Sequence, residues 1–275
     1  MSIIAISRGT FSGGETLAQR VAERLGYQCL SRETNLEAAA TRYGVPAEEL
    51  AAAMEKRPSF FERVLGERAA YLTFVRASLC ERALVGQLVY HGYLGHLLLP
   101  GISHVISVRV IADMEFRLKA VREQQKLGEM EALAYIEKVD RERREWVRFL
   151  FELDWDDASL YDLVVNLSRM NLATACETVA RLTERDEFQP TATSRKAMRD
   201  LTLHSKVSAA LAMDFRTRDA KLQITVDGGL VTITGTTHWP EVANAIPSVA
   251  RQVEGVEEVR SDIAGVTPPR PLTWY

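Results

Sequence analysis

IIAISRGTFSGGETLAQRVAERL, residues 3–25, places an apolar run, a glycine-rich turn and an amphipathic pattern in direct succession. An apolar run such as residues 3–6, followed at once by glycine, is typical of a buried parallel strand. Leu17, Val21 and Leu25 then recur on one helical face, and Gly26 is suited to end the helix. The stretch predicts a strand, a turn and a helix of an α/β sheet.

The turn GTFSGGET, residues 9–16, matches the phosphate-loop pattern G-x-x-x-x-G-K-[ST] everywhere except at the lysine, where Glu15 stands. In that pattern, amides at a helix N-terminus hold a phosphate, a hydroxyl binds Mg²⁺, and the lysine neutralises the transferring group. Four residues suit the first two tasks: Gly9, Gly13, Gly14 and Thr16. Glu15 cannot perform the third, and one close charge contact is worth up to about 4 kcal/mol. The alternative is that the turn is only a tight connection.

Composition bounds the class of protein. With 275 residues, of which 47% are hydrophobic and 26% charged, the chain is long enough for two globular domains. A net charge of -3 gives no general attraction to nucleic acid, so no nucleic-acid partner is expected. Cys29, Cys80 and Cys176 lack metal-ligand spacing and are expected to be free thiols. Without a signal-like start or an apolar run near ~20 residues, the sequence predicts a cytoplasmic protein.

Apolar runs and helical patterns alternate through the first two thirds of the chain. Further strands are predicted at residues 27–30, 83–90, 104–110 and 161–166. Helices are predicted at residues 35–56 with a break at 44–46, 59–82, 113–127, 129–153 and 167–184. Such alternation predicts a parallel α/β sheet. We expect residues 35–56 to form a helical flap rather than part of the core.

The helices predicted at residues 113–127 and 129–153 are dense in charge. A solvated surface is the usual explanation of such a run, but an arginine-bearing lid over a phosphoryl-transfer site is a second one. A lid requires several arginines to face the loop, with Asp140 orienting one of them: Arg117, Arg141, Arg143 and Arg144. His91 and His96 lie five residues apart, which does not suit one helix face, and are interpreted as structural rather than as metal ligands.

Taken together, these pieces resemble the cytidylate kinase-like family of P-loop nucleotide kinases over residues 1–185. The resemblance rests on ISR at 6–8, SGG at 12–14, VG at 85–86, EFR at 115–117, KVDRER at 138–143 and YDLVVN at 161–166. It implies a five-stranded parallel sheet with helices on both faces, a helical region for the nucleoside monophosphate, and a helical lid. It also implies phosphorylation of a nucleoside monophosphate from ATP with Mg²⁺.

The resemblance also implies roles for individual residues. Cofactor-binding roles fall to Arg8, Gly9, Ser12, Gly13, Gly14, Glu15 and Thr16, with Thr16 also the metal ligand. Catalytic roles fall to Arg117, Asp140 and Arg143. Three departures count against activity: Glu15 replaces a basic residue, Gln87 stands where arginine is usual, and Ser31 stands where an acidic residue is common. Arg8 or a lid arginine could compensate in part, although guanidinium and ammonium groups are not interchangeable.

A second domain is predicted after a linker at residues 186–197, where hydrophobic periodicity is lost. Residues 198–266 give the order α-β-β-α-β, with a hairpin turn at Asp227, Gly228 and Gly229, and residues 267–275 form a tail. VDGGLVTITGTT and VARQVEGVEEVRSDI resemble a BON domain. That family is associated with bacterial envelopes, so the domain is expected to bind a small ligand, a lipid surface or a protein partner; a role in homo-oligomers is equally open.

Three functions follow from these patterns. The favoured hypothesis is a nucleotide-binding protein, with ATP and CMP as the expected nucleotides, weak or absent phosphoryl transfer, and a regulatory or binding role for the second domain. The first alternative is an active ATP-dependent CMP-type kinase. The second is an assembly protein that has kept the fold and lost nucleotide binding.

Overall fold

The computed structural model describes residues 2–55, 65–237 and 239–265. A five-stranded parallel sheet in the order β2-β3-β1-β4-β5 forms the centre of the N-terminal domain. Its strands are β1 Ile3–Arg8, β2 Gln28–Ser31, β3 Leu88–Gly92, β4 Val105–Ile111 and β5 Leu163–Asn166. β1 is central because its side chains are buried on both faces: Ile3 packs on one side, and Ile4 and Ile6 on the other. The predicted parallel sheet is confirmed.

Helices cover both faces of this sheet. In chain order they are α1 Gly14–Leu25, α2 Arg32–Tyr43, α3 Ala47–Glu55, α4 Leu65–Leu84, α5 Gly95–Leu98, α6 Met114–Gln125, α7 Glu129–Phe151 and α8 Leu172–Leu182. α1 and α8 pack on one face, and α2 to α5 on the other. The expectation of a flap at residues 35–56 is wrong, because Leu36, Leu50 and Met54 are buried in the core. Among the described residues, no helix is both long enough and apolar enough to cross a membrane.

The boundary between α4 and β3 differs from the predicted strand at residues 83–90. Ala83 and Leu84 complete the last turn of α4, and the strand begins only at Leu88. Gly86 with φ 75° and Gln87 with φ 54° turn the chain between them. An apolar run alone does not distinguish the end of a buried helix from a strand. Lys56 and residues 59–64 of the predicted helices lie outside the described residues.

The second domain contains a three-stranded sheet in the order β6-β7-β8. Its elements are α9 Ala192–Met213, β6 Lys221–Asp227, β7 Leu230–Thr237, α10 Pro240–Arg251 and β8 Glu258–Gly265. β6 and β7 are antiparallel and joined at Gly228 and Gly229, both with positive φ, while β8 pairs parallel to β7. Leu203, Val231 and Ile246 meet in its core. The order α-β-β-α-β is therefore as the sequence predicts, and the expected tail lies outside the described residues.

α9 begins at Ala192, inside the stretch expected to be a linker. Thr191 caps it by accepting a hydrogen bond from the Ser194 amide at 3.1 Å, so the polar residues there start a helix rather than a loop. Ser194 also hydrogen-bonds His104 of the N-terminal domain, with Oγ and Nδ1 2.9 Å apart. Met198 is buried in the core of the N-terminal domain, whereas Val207 is buried in that of the second. One helix thus belongs to both domains.

Candidate functional site

The loop between β1 and α1 is shaped by two glycines at the carboxyl edge of the central sheet. Gly13 has φ 83°, and a Cβ there would lie 2.8 Å from Leu167 Cδ1. A Cβ on Gly14 would lie 2.6 Å from Arg8 Cβ, whereas Gly9 has room, its nearest neighbour being Ser12 Cβ at 3.7 Å. The first-turn amides of α1 have no intrahelical acceptor. These amides lie beside a cleft that Gly13, Gly14 and Thr16 line.

This cleft has a volume of about 670 Å³ and lies between the loop, the start of α2, and the pair α6 and α7. Seven of the predicted site residues line it: Arg8, Ser12, Gly13, Gly14, Glu15, Thr16 and Arg143. The remaining three, Gly9, Arg117 and Asp140, line a smaller cavity of about 220 Å³, which shares Ser12 with the cleft. The predicted residues are therefore brought to the two sides of one loop.

Gly9 and Ser12 hold the loop against β4. The Ser12 hydroxyl donates to the Val110 carbonyl at 3.1 Å, and the Gly9 amide donates to the same carbonyl at 3.3 Å. The Ser12 amide donates to the Gly9 carbonyl at 3.2 Å. These groups are engaged within the protein, so they shape the loop and are not free donors for a ligand.

Thr10 connects the loop to the charged helices. Asp140 Oδ1 accepts hydrogen bonds from the Thr10 hydroxyl at 2.7 Å and from its amide at 3.2 Å. Arg117 Nε donates to the Thr10 carbonyl at 2.7 Å, its Nη2 donates to Asp140, and Arg143 Nη1 donates to the Thr10 hydroxyl at 3.1 Å. Burial would raise the pKa of Asp140, but the Thr10 hydroxyl and Arg117 outweigh it and hold that pKa below its usual range.

The three residues predicted as catalytic thus converge on Thr10, which the sequence did not single out. Its partners lie more than one hundred residues away, so no local pattern marks it. The neighbouring Phe11, with φ 58°, packs into the apolar cluster between α6 and α7. Its ring lies 6.2 Å from that of Tyr135. Polar and apolar contacts together fix the two helices over the loop.

Arginines line the cleft beside the loop. The guanidinium carbons of Arg32 and Arg143 lie 5.4 and 5.1 Å from the centre of the Tyr93 ring. Burial lowers the pKa of Arg143, and the nearby charges of Arg32 and Arg8 lower it further. Glu33 is the carboxylate facing them, 3.1 Å from Arg32 Nε and 4.0 Å from Arg8 Nη2. This side of the cleft therefore carries an excess of positive charge.

Arg32 and Arg109 are candidate functional residues that were not identified as such from the sequence. Arg32 follows Ser31 at the end of β2, where a polar stretch at a strand end was the available signal. Arg109 lies within β4, and its guanidinium carbon is 3.6 Å from the centre of the Trp155 ring. It donates to Asp156 at 2.9 Å and lines the smaller cavity. A charge inside an apolar strand run was its only signal.

Of the three departures from the family pattern, the structure shows that Gln87 and Ser31 have no place in the cleft. β3 runs parallel to β1, with Leu88 opposite Ile3, so Gln87 lies at the opposite edge of the sheet from the loop. β3 has five residues, each rising about 3.3 Å, so the length of the strand separates Gln87 from the loop and puts it outside the site. Ser31 caps α2 by accepting from the Thr34 amide at 3.0 Å. Only Glu15, exposed on the first turn of α1, faces the cleft as a departure.

The lid arginines divide between two surfaces. Arg117 and Arg143 contact the loop, and Arg144 lines the smaller cavity, with its Nε donating to the Asp140 carbonyl at 3.2 Å. Arg141 instead lies on the outer surface of α7, in a hollow shared with Glu137 and Arg148. Arg141 therefore does not line the cleft in this structure, because a helix turns about 100° between neighbouring residues.

Both candidate histidines are packed inside the N-terminal domain. Burial lowers the pKa of His91, and Arg8 lowers it further. The His96 ring lies 4.7 Å from that of Tyr161, and burial, followed by the charge of Arg109, lowers the pKa of His96 to about 4. Within residues 2–55, 65–237 and 239–265, no group of three or more His, Cys, Asp or Glu side chains could hold a metal ion.

Comparisons with known proteins agree with this geometry. The sequence model of the cytidylate kinase-like family matches residues 3–169, and that of the BON domain matches residues 199–266. The cytidylate kinases of Ignicoccus hospitalis and Staphylothermus marinus are each 28% identical, over 66% and 62% of this chain and 99% and 90% of theirs.

Among solved structures, an uncharacterized protein from Eubacterium ventriosum matches with a TM-score of 0.52 and 21% identity, over 67% of this chain and 99% of that one. At that identity the match shows a shared fold. The family match, in contrast, spans more than half of the 275 residues. This chain therefore belongs to the cytidylate kinase-like family and carries a BON domain after its kinase-like domain.

Proposed function

We propose that this protein binds ATP with Mg²⁺ on the loop and first turn of α1, binds a nucleoside monophosphate such as CMP beside the arginines, and transfers phosphate weakly. The observation that carries the proposal is the position of Gly13, Gly14 and Thr16, which puts the first turn of α1, with its unpaired amides, in the wall of the cleft. Such amides bind a phosphate without any side chain, because the helix N-terminus carries partial positive charge.

The acceptor is proposed to lie against Arg8, Arg32 and Arg143. Guanidinium groups form charge-assisted, paired hydrogen bonds to phosphate oxygens, and a bound phosphate would relieve their mutual repulsion. Curated relatives are cytidylate kinases, which makes CMP the first monophosphate to examine. The BON domain would regulate this site or bind a small ligand, a lipid surface or a protein.

Mg²⁺ fits the side chains present. It usually keeps several waters and is held by substrate phosphates with one or two protein oxygens. Thr16 lines the cleft on the first turn of α1, so its hydroxyl would be the protein ligand. Bound in this way, Mg²⁺ would offset part of the charge on the terminal phosphates.

Weak transfer follows from Glu15. Catalysis of phosphoryl transfer depends on positioning and on stabilising negative charge, and a carboxylate on the first turn of α1 opposes both. The second candidate is an efficient CMP-type kinase. One observation favours it: four cations from other elements, Arg8, Arg32, Lys138 and Arg143, line the same cleft.

The test is a pair of glycine variants that each place a side chain at a positive φ. Gly13→Ala places a side chain at φ 83° against Leu167, whereas Gly26→Ala places one at φ 66° with no neighbour within 4 Å, at the far end of α1. We expect Gly13→Ala to weaken ATP binding at least about tenfold, which corresponds to ~1.4 kcal/mol. Calorimetric titration with ATP, CMP and CTP, with and without Mg²⁺, measures it.

Gly26→Ala should bind these nucleotides as the wild type does, although both variants lose some stability from the strain. Equal nucleotide affinity for Gly13→Ala and wild type would show that the loop is only a connector. Failure of the wild type to bind any nucleotide would favour the assembly function instead.

A further inference from the structure

The loop brings a negative charge to the place where its sequence pattern has a lysine, so any compensating ammonium must come from another element. The cleft is lined by one lysine, Lys138, together with three arginines, which the proposed function assigns to the acceptor. Arg143 donates to Thr10, and Arg8 and Arg32 face Glu33. Lys138 is exposed and forms no ion pair within the part of the chain that the structure describes.

The position of Lys138 on α7 is fixed by contacts on both sides of it. Tyr135, Lys138, Val139 and Glu142 share the helix face that lines the cleft. One turn before Lys138, the Tyr135 ring contacts that of Phe11 at 6.2 Å. Two residues after it, Asp140 accepts the 2.7 Å hydrogen bond from Thr10. Both contacts are with the loop, so Lys138 is held above it on a long side chain that ends in a compact charge.

We propose that Lys138 supplies from α7 the ammonium group that the loop lacks, and that it binds the terminal phosphates of a nucleoside triphosphate. The inference rests on the proposed function, because it concerns the same cleft. By this proposal, Lys138 makes the loop bind a nucleoside triphosphate more tightly than a monophosphate. The amides of α1 hold one phosphate, whereas Lys138 and Mg²⁺ offset the additional charge of the others, against the repulsion from Glu15.

The competing explanation is that Lys138 belongs to the solvated surface of α6 and α7. Lys119 provides the matched control, because it is an exposed lysine of the same helical pair and lines an outer hollow with Glu115 and Glu123. A general effect of net charge on nucleotide affinity would be the same for both lysines.

The experiment compares Lys138→Met with Lys119→Met in the full chain, with the dissociation constants of ATP and AMP measured in Mg²⁺ buffer. Lys138→Met is expected to weaken ATP binding about tenfold and to leave AMP binding within about twofold. Lys119→Met is expected to leave both unchanged. Melting curves confirm that the exposed substitutions leave the fold intact. Adding Glu15→Lys to Lys138→Met should restore ATP affinity, because the lysine then returns to the loop.

Several results would overturn the inference. Unchanged ATP affinity in Lys138→Met, equal loss of ATP and AMP, or no recovery on adding Glu15→Lys would each show that Lys138 does not replace the loop lysine. These results leave the proposed function standing, because the wild type still binds nucleotide. A wild type that binds neither ATP nor AMP overturns the proposed function, and this inference with it.

Discussion

The pKa of His96 is set by the buried position of its ring. Both of its ring nitrogens are buried without a hydrogen-bond partner within the described residues, and the ring lies against Tyr161. Burial and the charge of Arg109 lower its pKa to about 4, so the neutral ring is strongly favoured in the folded protein. The unfolded chain has no such preference, and its histidine titrates near 6.5.

This difference predicts how stability changes with pH. The contribution of His96 is fully present above about pH 6.5 and is lost as the pH falls towards 4, because the unfolded state then binds a proton that the folded state does not. Between pH 7 and pH 5 the loss is about 2 kcal/mol. Urea unfolding of the wild type and of His96→Phe measures it. A difference between the two proteins that does not change with pH would contradict the explanation.

Single residues also show what the sequence could predict of the site. Gly13 and Gly14 were predicted because a strand, a glycine turn and a helix are adjacent in the chain, and this order is visible in the sequence without any distant contact. Thr10 was missed because its significance comes from its contacts with Asp140, Arg117 and Arg143, which lie far away in the sequence. Residue type and spacing carry no record of such distant contacts.

Among the elements, α6 and α7 form a lid that is already fastened to the loop. Thr10 uses its amide, carbonyl and hydroxyl in this contact, and Phe11 adds an apolar anchor. A lid is often described as opening to admit its ligand. Here, opening would break the hydrogen bonds of Asp140 and leave a buried carboxylate short of partners, which is costly.

Thr10→Val should therefore loosen the lid. It keeps the shape of the side chain but removes the hydroxyl that donates to Asp140 and accepts from Arg143. We expect the free energy of unfolding to fall by about 1–3 kcal/mol and the α6 and α7 amides to exchange hydrogen faster. Thr178→Val is the control, because that hydroxyl donates to the Thr174 carbonyl within α8, away from the loop and the lid. Unchanged exchange in α7 would show that the Thr10 contacts do not hold the lid.

The sequence predicted which segments are helices and which are strands, but not where some of them begin and end. Apolar runs and helical spacing gave the parallel strands, because burial on both faces demands apolar residues. The joint between α4 and β3 was misjudged, since Ala83 and Leu84 are apolar in either structure. The start of α9 is not visible in the sequence, because its first turn, residues 192–195, is small and polar and shows no apolar repeat.

At the level of the whole molecule, α9 makes the two domains parts of one structure. Its Thr202 hydroxyl lies 3.4 Å from the Cys80 carbonyl of α4, while Leu203 and Val207 beside it enter the core of the BON domain. α4 packs in turn against α2, which begins at the cleft residue Arg32. The proposed regulation of the nucleotide site thus has a physical route, and the full chain is the unit to assay.

The decisive measurement is ATP consumption by the full chain with CMP and Mg²⁺, compared between the wild type and Glu15→Lys. Weak turnover in the wild type, raised at least about tenfold by Glu15→Lys while both proteins bind ATP, is the predicted result, because the carboxylate repels the phosphates that a lysine attracts. Vigorous wild-type turnover that falls on Glu15→Lys would contradict it and would establish that the glutamate serves an efficient kinase.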